Sequence, residues 1–389
     1  MKSNYEALGK HIRLVDYRNS EEVTSTVLGI SIDKEFMPSV ANVIGTDLSR
    51  YKLISKGLFA CNPMHVGRDE RLPIALYENE EPAIVSPAYF MFEIIDRTIL
   101  NEEYLMMWFR RPEFDRECWF MTDGSVRGGI TWDDLCRIQL PVPPYERQLD
   151  VVESYRAITR RIAMKKEIND NLEATAQAVF QEQFASFYGA DELPDGYRII
   201  NLDNLCTVKG GKRLPADCKL LDTPTDHPYI RVRDVGSNRY VCLTNQFQYI
   251  DEETYSAISR YIVNTGDIVI SIVGTIGLLG KIHSSLDKAN LTENCVKLAN
   301  IHTVTSDYLY YTLCYKKQIK EIDLLTVGAV QAKLPMYNIQ SMKILVPPTK
   351  EIEAFQRKMN VLNEQIEANT VEIQKLYELE EVLLAKLSD

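Results

Sequence analysis

From residue 349 to 387, apolar side chains return at alternating intervals of three and four. They are Ile352, Phe355, Met359, Leu362, Ile366, Ile373, Leu376, Leu383 and Leu387. Asn369 and Glu380 stand in the same series. This is a heptad stripe, narrower than the apolar face of a helix laid on a broad core, and it predicts a coiled-coil seam. Pro347-Pro348 predicts a sharp helix start, and no proline or glycine follows. A second stretch, about 145–184, carries Leu149, Val152, Tyr155, Ile158, Ile162, Ile168, Leu172, Val179 and Phe180 less regularly. Each helix of about 39 residues would be roughly 58 Å long. The seam is expected at Ile158, Ile162 and Leu172 in the first helix, and at Leu362, Ile366, Asn369, Ile373 and Leu376 in the second. Lys165 and Asn369 occupy the same point of the two stripes, where one buried polar contact can fix register.

The segments before each helix are mixed. Residues 268–273 (IVISIV), between Gly266 and Gly274, read as a buried strand. Residues 228–233 (PYIRVR) alternate and read as another. Residues 306–323 read as one helix with Ser306 as its N-cap, and 184–194 (FASFYGADELP) as a linker. The expected order is α/β domain, long helix, α/β domain, long helix.

The chain is also written twice. Slid by 204 residues, it aligns with itself without a gap from Tyr104 onward: Tyr104-Leu105 falls on Tyr308-Leu309 and Glu117 on Glu321. Thr122, Gly124, Val126, Val142, Pro143 and Pro144 all meet their like, as do Ile162 with Ile366 and Leu172 with Leu376. A period this long means duplicated domains and not a solenoid. The halves diverge most in 1–100 against 198–304. Domain bounds follow at 1–144, 145–187 (helix and linker), 188–348 and 349–389.

The 389 residues carry a net charge of −11, with 45% hydrophobic and 25% charged side chains, which excludes bulk disorder. Charge alone argues against nucleic acid, but it is unevenly spread: residues 198–345 hold 17 basic against 14 acidic side chains. No apolar run approaches the roughly 18 residues of a membrane span, and the start, MKSNYE, lacks a secretory stretch. A soluble, cytoplasmic protein is expected, with no membrane partner. The eight cysteines form no CxxC pair, so free thiols in a reducing compartment are expected and no metal site.

Two tempting catalytic motifs fail. Val142-Pro143-Pro144-Tyr145 resembles the amino-methyltransferase loop, but that loop needs a polar first residue, and no glycine-rich S-adenosylmethionine loop precedes it. Residues 274–281 (GTIGLLGK) have neither the spacing nor the Ser/Thr of a P-loop and read as a strand-connecting turn. The five histidines show no paired-ligand spacing and there is no G-x-S-x-G elbow. No catalytic residue is assigned.

Lys209-Gly210-Gly211-Lys212-Arg213 is more informative. The glycines allow close backbone approach, and Lys212 and Arg213 put charge on an exposed turn. Arg231, Arg233 and Arg239 lie on or beside a nearby strand with Tyr229 and Tyr240 interleaved, and Lys281 closes the glycine-rich turn. Arginine can read guanine edges bidentately, whereas lysine more often meets phosphate. Lys10, Arg13 and Arg18 occupy the comparable region of the first half, and Arg68 and Arg71 its later loop. These twelve residues are the candidate DNA contacts, the alternative being solvated charged loops.

Taken together, the chain resembles the specificity (S) subunit of a type I restriction–modification enzyme. The resemblance rests on the duplication, on Ile344 to Pro348 (ILVPP) with Leu140 to Pro144 as its variant, and on the long helix after each. GGKRLP (210–215), YIRVRDV (229–235), GDIVISIVGTIG (266–277) and TVGAVQAKLP (326–335) carry it further. The first half has DYRNS (16–20) in place of GGKRLP and NPMHVGRDERLPIAL (62–76) in place of the glycine-rich turn. The resemblance implies an α/β (α+β) chain of two duplicated target-recognition domains, separated by two long helices in an antiparallel coiled coil. It implies a non-catalytic subunit reading a bipartite site in double-stranded DNA. Two modification subunits would bring S-adenosylmethionine-dependent adenine methylation, and restriction subunits ATP- and magnesium-dependent cleavage, with no cofactor in this chain. The competing expectation is an inert coiled-coil scaffold joining protein partners without DNA readout.

Overall fold

The computed structural model describes residues 5–39, 45–64, 66–122, 128–190, 192–236, 239–244, 247–328 and 332–388, apart from the side chain of Arg68. Two compact units emerge: unit 1 is Met1–Ala163 with Lys375–Asp389, and unit 2 is Met164–Gln374.

In unit 1 the strands are β1 (Tyr5–Ala7), β2 (Ile12–Leu14), β3 (Val27–Ile30), β4 (Phe36–Pro38), β5 (Lys52–Ile54), β6 (Phe59–Cys61), β7 (Ile74–Leu76), β8 (Ala83–Val85), β9 (Phe90–Ile94) and β10 (Gln139–Pro141). They form a four-stranded sheet of order β2-β9-β6-β7, a second of order β4-β3-β8-β5, and the isolated pair β1-β10. The helices are α1 (Val66–Asp69), α2 (Glu102–Phe109), α3 (Pro112–Phe120), α4 (Trp132–Arg137) and the start of α5 (Tyr145–Phe184).

Unit 2 carries β11 (Arg198–Asn201), β12 (Thr207–Gly210), β13 (Pro228–Ile230), β14 (Tyr240–Val241), β15 (Gln248–Tyr249), β16 (Ile268–Ser271), β17 (Leu279–Ile282), β18 (Asn290–Leu291), β19 (Cys295–Ala299) and β20 (Lys343–Val346). Its sheets run β12-β19-β16-β17-β14 and β15-β13-β18, with β11-β20 as the isolated pair. Its helices are α6 (Glu252–Ile258), α7 (Ser306–Leu313), α8 (Lys316–Leu325), α9 (Met336–Ser341) and most of α10 (Thr349–Ala385).

The duplication is therefore architectural. Helices α2 and α7, α3 and α8, α4 and α9, and α5 and α10 each begin 204 residues apart. Tyr104 and Tyr308, also 204 apart, are both buried, and each donates its hydroxyl to the matching strand, to Pro141 O at 3.2 Å and Leu345 O at 2.7 Å. The repeat reaches the segments whose sequences diverge. The order β2-β9-β6-β7 matches β12-β19-β16-β17, and each second sheet contains one parallel pair, β3·β8 or β13·β18. Residues 62–73 span the gap between the paired strands β6 and β7 as the glycine-rich turn spans β16 and β17.

Within unit 2, α5 and α10 run antiparallel. Phe180 packs on Phe355 with ring centroids 6.0 Å apart, while towards the other end Lys165 Nζ donates to Asn369 Oδ1 at 2.9 Å. Asn369 is buried and donates onward to Asn169 Oδ1 at 2.8 Å, and Lys165 also meets Glu372 at 2.9 Å. The polar point expected in both stripes is one contact. On α10, Ile352, Phe355, Met359, Ile366 and Asn369 are buried, and Leu362, Ile373 and Leu376 half-buried. On α5, Val152, Tyr155, Ile162 and Phe180 are buried, and Ile158 and Leu172 half-buried. Leu149 and Ile168 face solvent, and Ala176 and Phe184 take buried places that the sequence reading did not give them. In unit 1 the Tyr155 hydroxyl donates to Glu380 Oε1 at 2.8 Å, so the break in the α10 stripe is also a polar contact.

Four local expectations need correction. The helix over 306–323 is two, because Tyr315 leaves the helical region as N-cap of α8, and α7 is capped by Thr305, whose hydroxyl accepts from Tyr308 N at 3.2 Å. The strand over 228–233 stops at Ile230, because Arg231 N donates to Asp234 Oδ2 at 2.8 Å and turns the chain. The run 268–273 is a strand only to Ser271. Residues 184–188 are no free linker: Phe184 is fully buried, and Phe180, Phe184, Tyr308 and Phe355 pack with centroids 5.1 to 6.1 Å apart. Burial of each such ring contributes about 2–3 kcal/mol, enough to bind helix ends to sheet.

All eight cysteines are unpaired, and burial pushes the thiols of Cys206, Cys295 and Cys314 up to about 12. Among the described residues no helix is long and apolar enough to cross a membrane.

Candidate nucleic-acid interface

The GGKR turn leaves β12, an edge strand whose Lys209 is exposed. A Cβ on Gly211 would stand 2.0 Å from Thr292 O and 2.3 Å from Leu291 O, so no other residue fits. The close backbone approach expected here is thus to the chain itself. Lys212 N donates to Leu291 O at 2.8 Å, Thr292 N to Ile230 O at 3.0 Å, and Tyr229 Oη to Lys212 O at 2.7 Å. These bonds tie three segments, 210–213, 229–234 and 290–293, into one rim.

Lys212, Arg213, Arg231 and Arg233 gather there. Arg213 has 81% of its side chain exposed and pairs with Glu293 at 2.6 Å. Lys212 Nζ lies 5.8 Å from the Tyr261 ring centroid. Arg233 is exposed beside Asp234 at 3.7 Å. Arg231 is held inward, its Nε 3.1 Å from Asp234 Oδ2 and its Nη1 on Gln248, and so is poorly free to swing to a base. Exposed guanidinium and ammonium groups on a fixed rim can meet phosphates and base edges.

Arg239 and Lys281 do not belong to this rim. Arg239 has no exposed side-chain surface: Nη2 is paired with Asp307, Nη1 donates to Tyr311 Oη at 2.9 Å and to Asn363 Oδ1 at 2.6 Å, and Glu173 lies 3.6 Å away. Lys281 Nζ donates to Asp307 Oδ1 at 2.6 Å. Both expectations of DNA contact are corrected: these cations neutralise a buried carboxylate at the β17–β14 edge, the far side of the sheet from β12. Burial alone would push the Asp307 carboxyl up, but Lys281 and Arg239 together outweigh it and hold it down at about 2. Burial opposes the Arg239 charge, yet the surrounding hydroxyl and carboxylate groups keep it above its ordinary value. The signal missed in the sequence was Asp307 itself, a lone carboxylate in the apolar run SDYLYYTL. Unit 1 holds a comparable unforeseen pair, Lys34 Nζ to Asp115 Oδ1 at 2.6 Å, both buried.

The first-half candidates are exposed but opposed. Lys10 pairs with Glu6 at 3.3 Å, Arg13 with Glu93 at 2.7 Å, Arg18 with Asp16 at 2.8 Å and Arg71 with Asp33 at 3.2 Å. Arg68 lies on α1 with its side chain outside the described residues, as are Gly124, Val126 and 329–331 of the TVGAVQAKLP stretch. Arg18 leaves β2 as Lys212 leaves β12, so DYRNS and GGKRLP hold matching places in matching sheets.

The family model of the type I restriction modification DNA specificity domain matches residues 194–383, from just before β11 almost to the end of α10. This stretch is similar to the type I specificity family. Among curated relatives it is 21% identical to the type I restriction enzyme MjaIX specificity subunit of Methanocaldococcus jannaschii over 76% of this chain and 70% of that one. It is 20% identical to the type I restriction enzyme HindI specificity subunit of Haemophilus influenzae over 96% of this chain and 95% of that one. A crystal structure of the type I restriction–modification S subunit from M. genitalium covers 98% of this chain and 95% of its own, at 14% identity and a TM-score of 0.49. The family match takes in the GGKR rim and the Arg239 cluster alike.

Proposed function

We propose that the chain reads a bipartite DNA target, one half-site through the strand-rich region before each long helix, with the antiparallel helices as the spacer. The supporting observation is the repetition of one sheet order and one set of helix starts in two units, since duplicated readers suit a split site. The domain bounds at 1–144, 145–187, 188–348 and 349–389 belong to this proposal. In unit 2 the contacts are assigned to Lys209, Lys212, Arg213 and Arg233, with Arg231 bracing the rim. In unit 1 they are assigned to Lys10, Arg13, Arg18 and Arg71, whose carboxylate partners must be outcompeted by phosphate, and to Arg68. The chain contributes no catalytic group. Two modification subunits supply S-adenosylmethionine-dependent methylation, restriction subunits supply ATP- and magnesium-dependent cleavage, and the complex works in the cytoplasm.

The paired cations of unit 1 and the net charge of −11 favour a second reading, a protein scaffold without DNA readout. Binding of duplex DNA by the chain with its modification subunits, measured across salt concentrations, separates the two. A reader loses log affinity linearly with log salt, with a slope set by the number of phosphates neutralised. A scaffold shows no such line.

A further inference from the structure

Along α10 in unit 2, the half-buried Gln356, Asn363 and Gln374 bond to the recognition region, and the exposed Glu367 lies on the same face. Gln356 Nε2 donates to Asp307 Oδ2 at 2.6 Å. Asn363 donates to Asp307 Oδ2 at 2.8 Å and accepts from Arg239 at 2.6 Å. Glu367 lies 3.9 Å from His283 Nε2, and Gln374 Nε2 donates to Leu243 O at 2.8 Å. Their spacing of seven, four and seven places them on one face over about 27 Å of helix. From α5, Glu173 joins the same cluster, accepting from Tyr311 Oη at 2.9 Å.

The groups they hold come from one edge of the recognition sheet. Arg239 leads into β14, Leu243 follows it, Lys281 lies in β17 and His283 just after it, and β14 pairs with β17. The apolar core beneath, with Phe355 and Met359 against Tyr308, attracts without direction and would tolerate sliding. The hydrogen bonds of Gln356, Asn363 and Gln374, charge-assisted at Asp307 and Arg239, fix distance and angle, and a slip by one turn would break them.

Among the described residues the other repeat shows no matching pair of bonds to a buried carboxylate. The positions 204 residues before Gln356, Asn363, Glu367 and Gln374 are Val152, Thr159, Ala163 and Asp170, and Thr159 bonds only to carbonyls of its own helix among the contacts described. The counterpart of Asp307 is Glu103, which meets a half-exposed Arg156. The shared fold therefore does not require the stripe.

We propose that Gln356 and Asn363, acting through Asp307 and Arg239, and Gln374, acting through the Leu243 carbonyl, are positioning residues that seat the second recognition domain on the helix pair and so set the spacer length it accepts. This rests on the split-target reading above. One base pair added to the spacer moves a half-site by about 3.4 Å and turns it by roughly 35°, and a rigid seat cannot follow.

The test uses the full chain with its modification subunits. The probes are duplexes built on the host's methylated motif, with the spacer native or changed by one base pair. Wild type should lose about 5- to 100-fold on the changed spacers, the cost of a forfeited base contact. Q356A/N363A/Q374A leaves Arg239, Lys281 and Asp307 in place on a helix that alanine favours. It should bind all three spacers within about threefold while keeping wild-type discrimination against a mismatched second half-site. Arg239→Lys should do likewise, because one ammonium cannot span Asp307, Tyr311 and Asn363 as a planar fork does. Unchanged spacer preference in both variants, with wild type binding as stated, overturns the positioning role alone. Absence of any spacer preference in wild type overturns the split-target reading and this role together.

Discussion

Lys212 and Arg213 are neighbours on one turn, yet their settings assign them different work. Lys212 projects beside the Tyr261 ring, and its removal should weaken binding to every sequence and lower the salt slope by about one unit. Arg213 is presented by Glu293, and Arg213→Ala should cost roughly 1–3 kcal/mol at one base position only. Affinity on matched and single-mismatch duplexes at several salt concentrations distinguishes these outcomes, and unchanged affinity and slope in the double variant would remove DNA from this turn. Asp307 gives a prediction in pH. Its folded value of about 2 lies below its ordinary 3.8, so its stabilisation is complete above the ordinary value and is lost as pH falls from there towards 2. Lys281, Arg239, Glu173 and Tyr311 face it, and the acid limb of a stability titration should be shallower for Asp307→Asn than for wild type. At this scale the sequence showed residue type but not company. The spacing that made Arg231, Arg233 and Arg239 look alike says nothing about Asp307, which lies 68 residues from Arg239 and claims it for the interior.

Helix patterns were the most legible elements, because a heptad is a local record of a long contact. The α10 stripe needed only its own sequence, and Lys165 with Asn369 proved to be one hydrogen bond. Strands of two to five residues leave too few alternations to count, so the sheet orders were beyond reach and 228–233 was read too long. The break at Tyr315 was hidden because no proline or glycine marks it. The seam carries a prediction of its own: Leu362→Asp with Ile366→Asp sets two unpaired carboxylates against α5 and should cost about 3–5 kcal/mol or more. Melting and assembly with the modification subunits should both suffer. Wild-type values for both would mean that the stripe is no seam.

For the whole molecule, the 204-residue period was readable wherever the halves keep common residues, and unreadable where they diverge. There the common sheet order persists beneath different loops, as it must if the scaffold is fixed and the reading surface varies. Charge was the least informative guide: −11 describes the sum, whereas the proposed recognition rests on a rim of a few cations at 210–213 and 229–234. The central claim is that each repeat reads its own half of one split target. It is tested most directly by exchanging residues 198–343 for the matching segment of a relative and sequencing the methylated bases in the host. The account predicts a motif in which one half changes and the other is retained, whereas a change in both halves, or in neither, would contradict it.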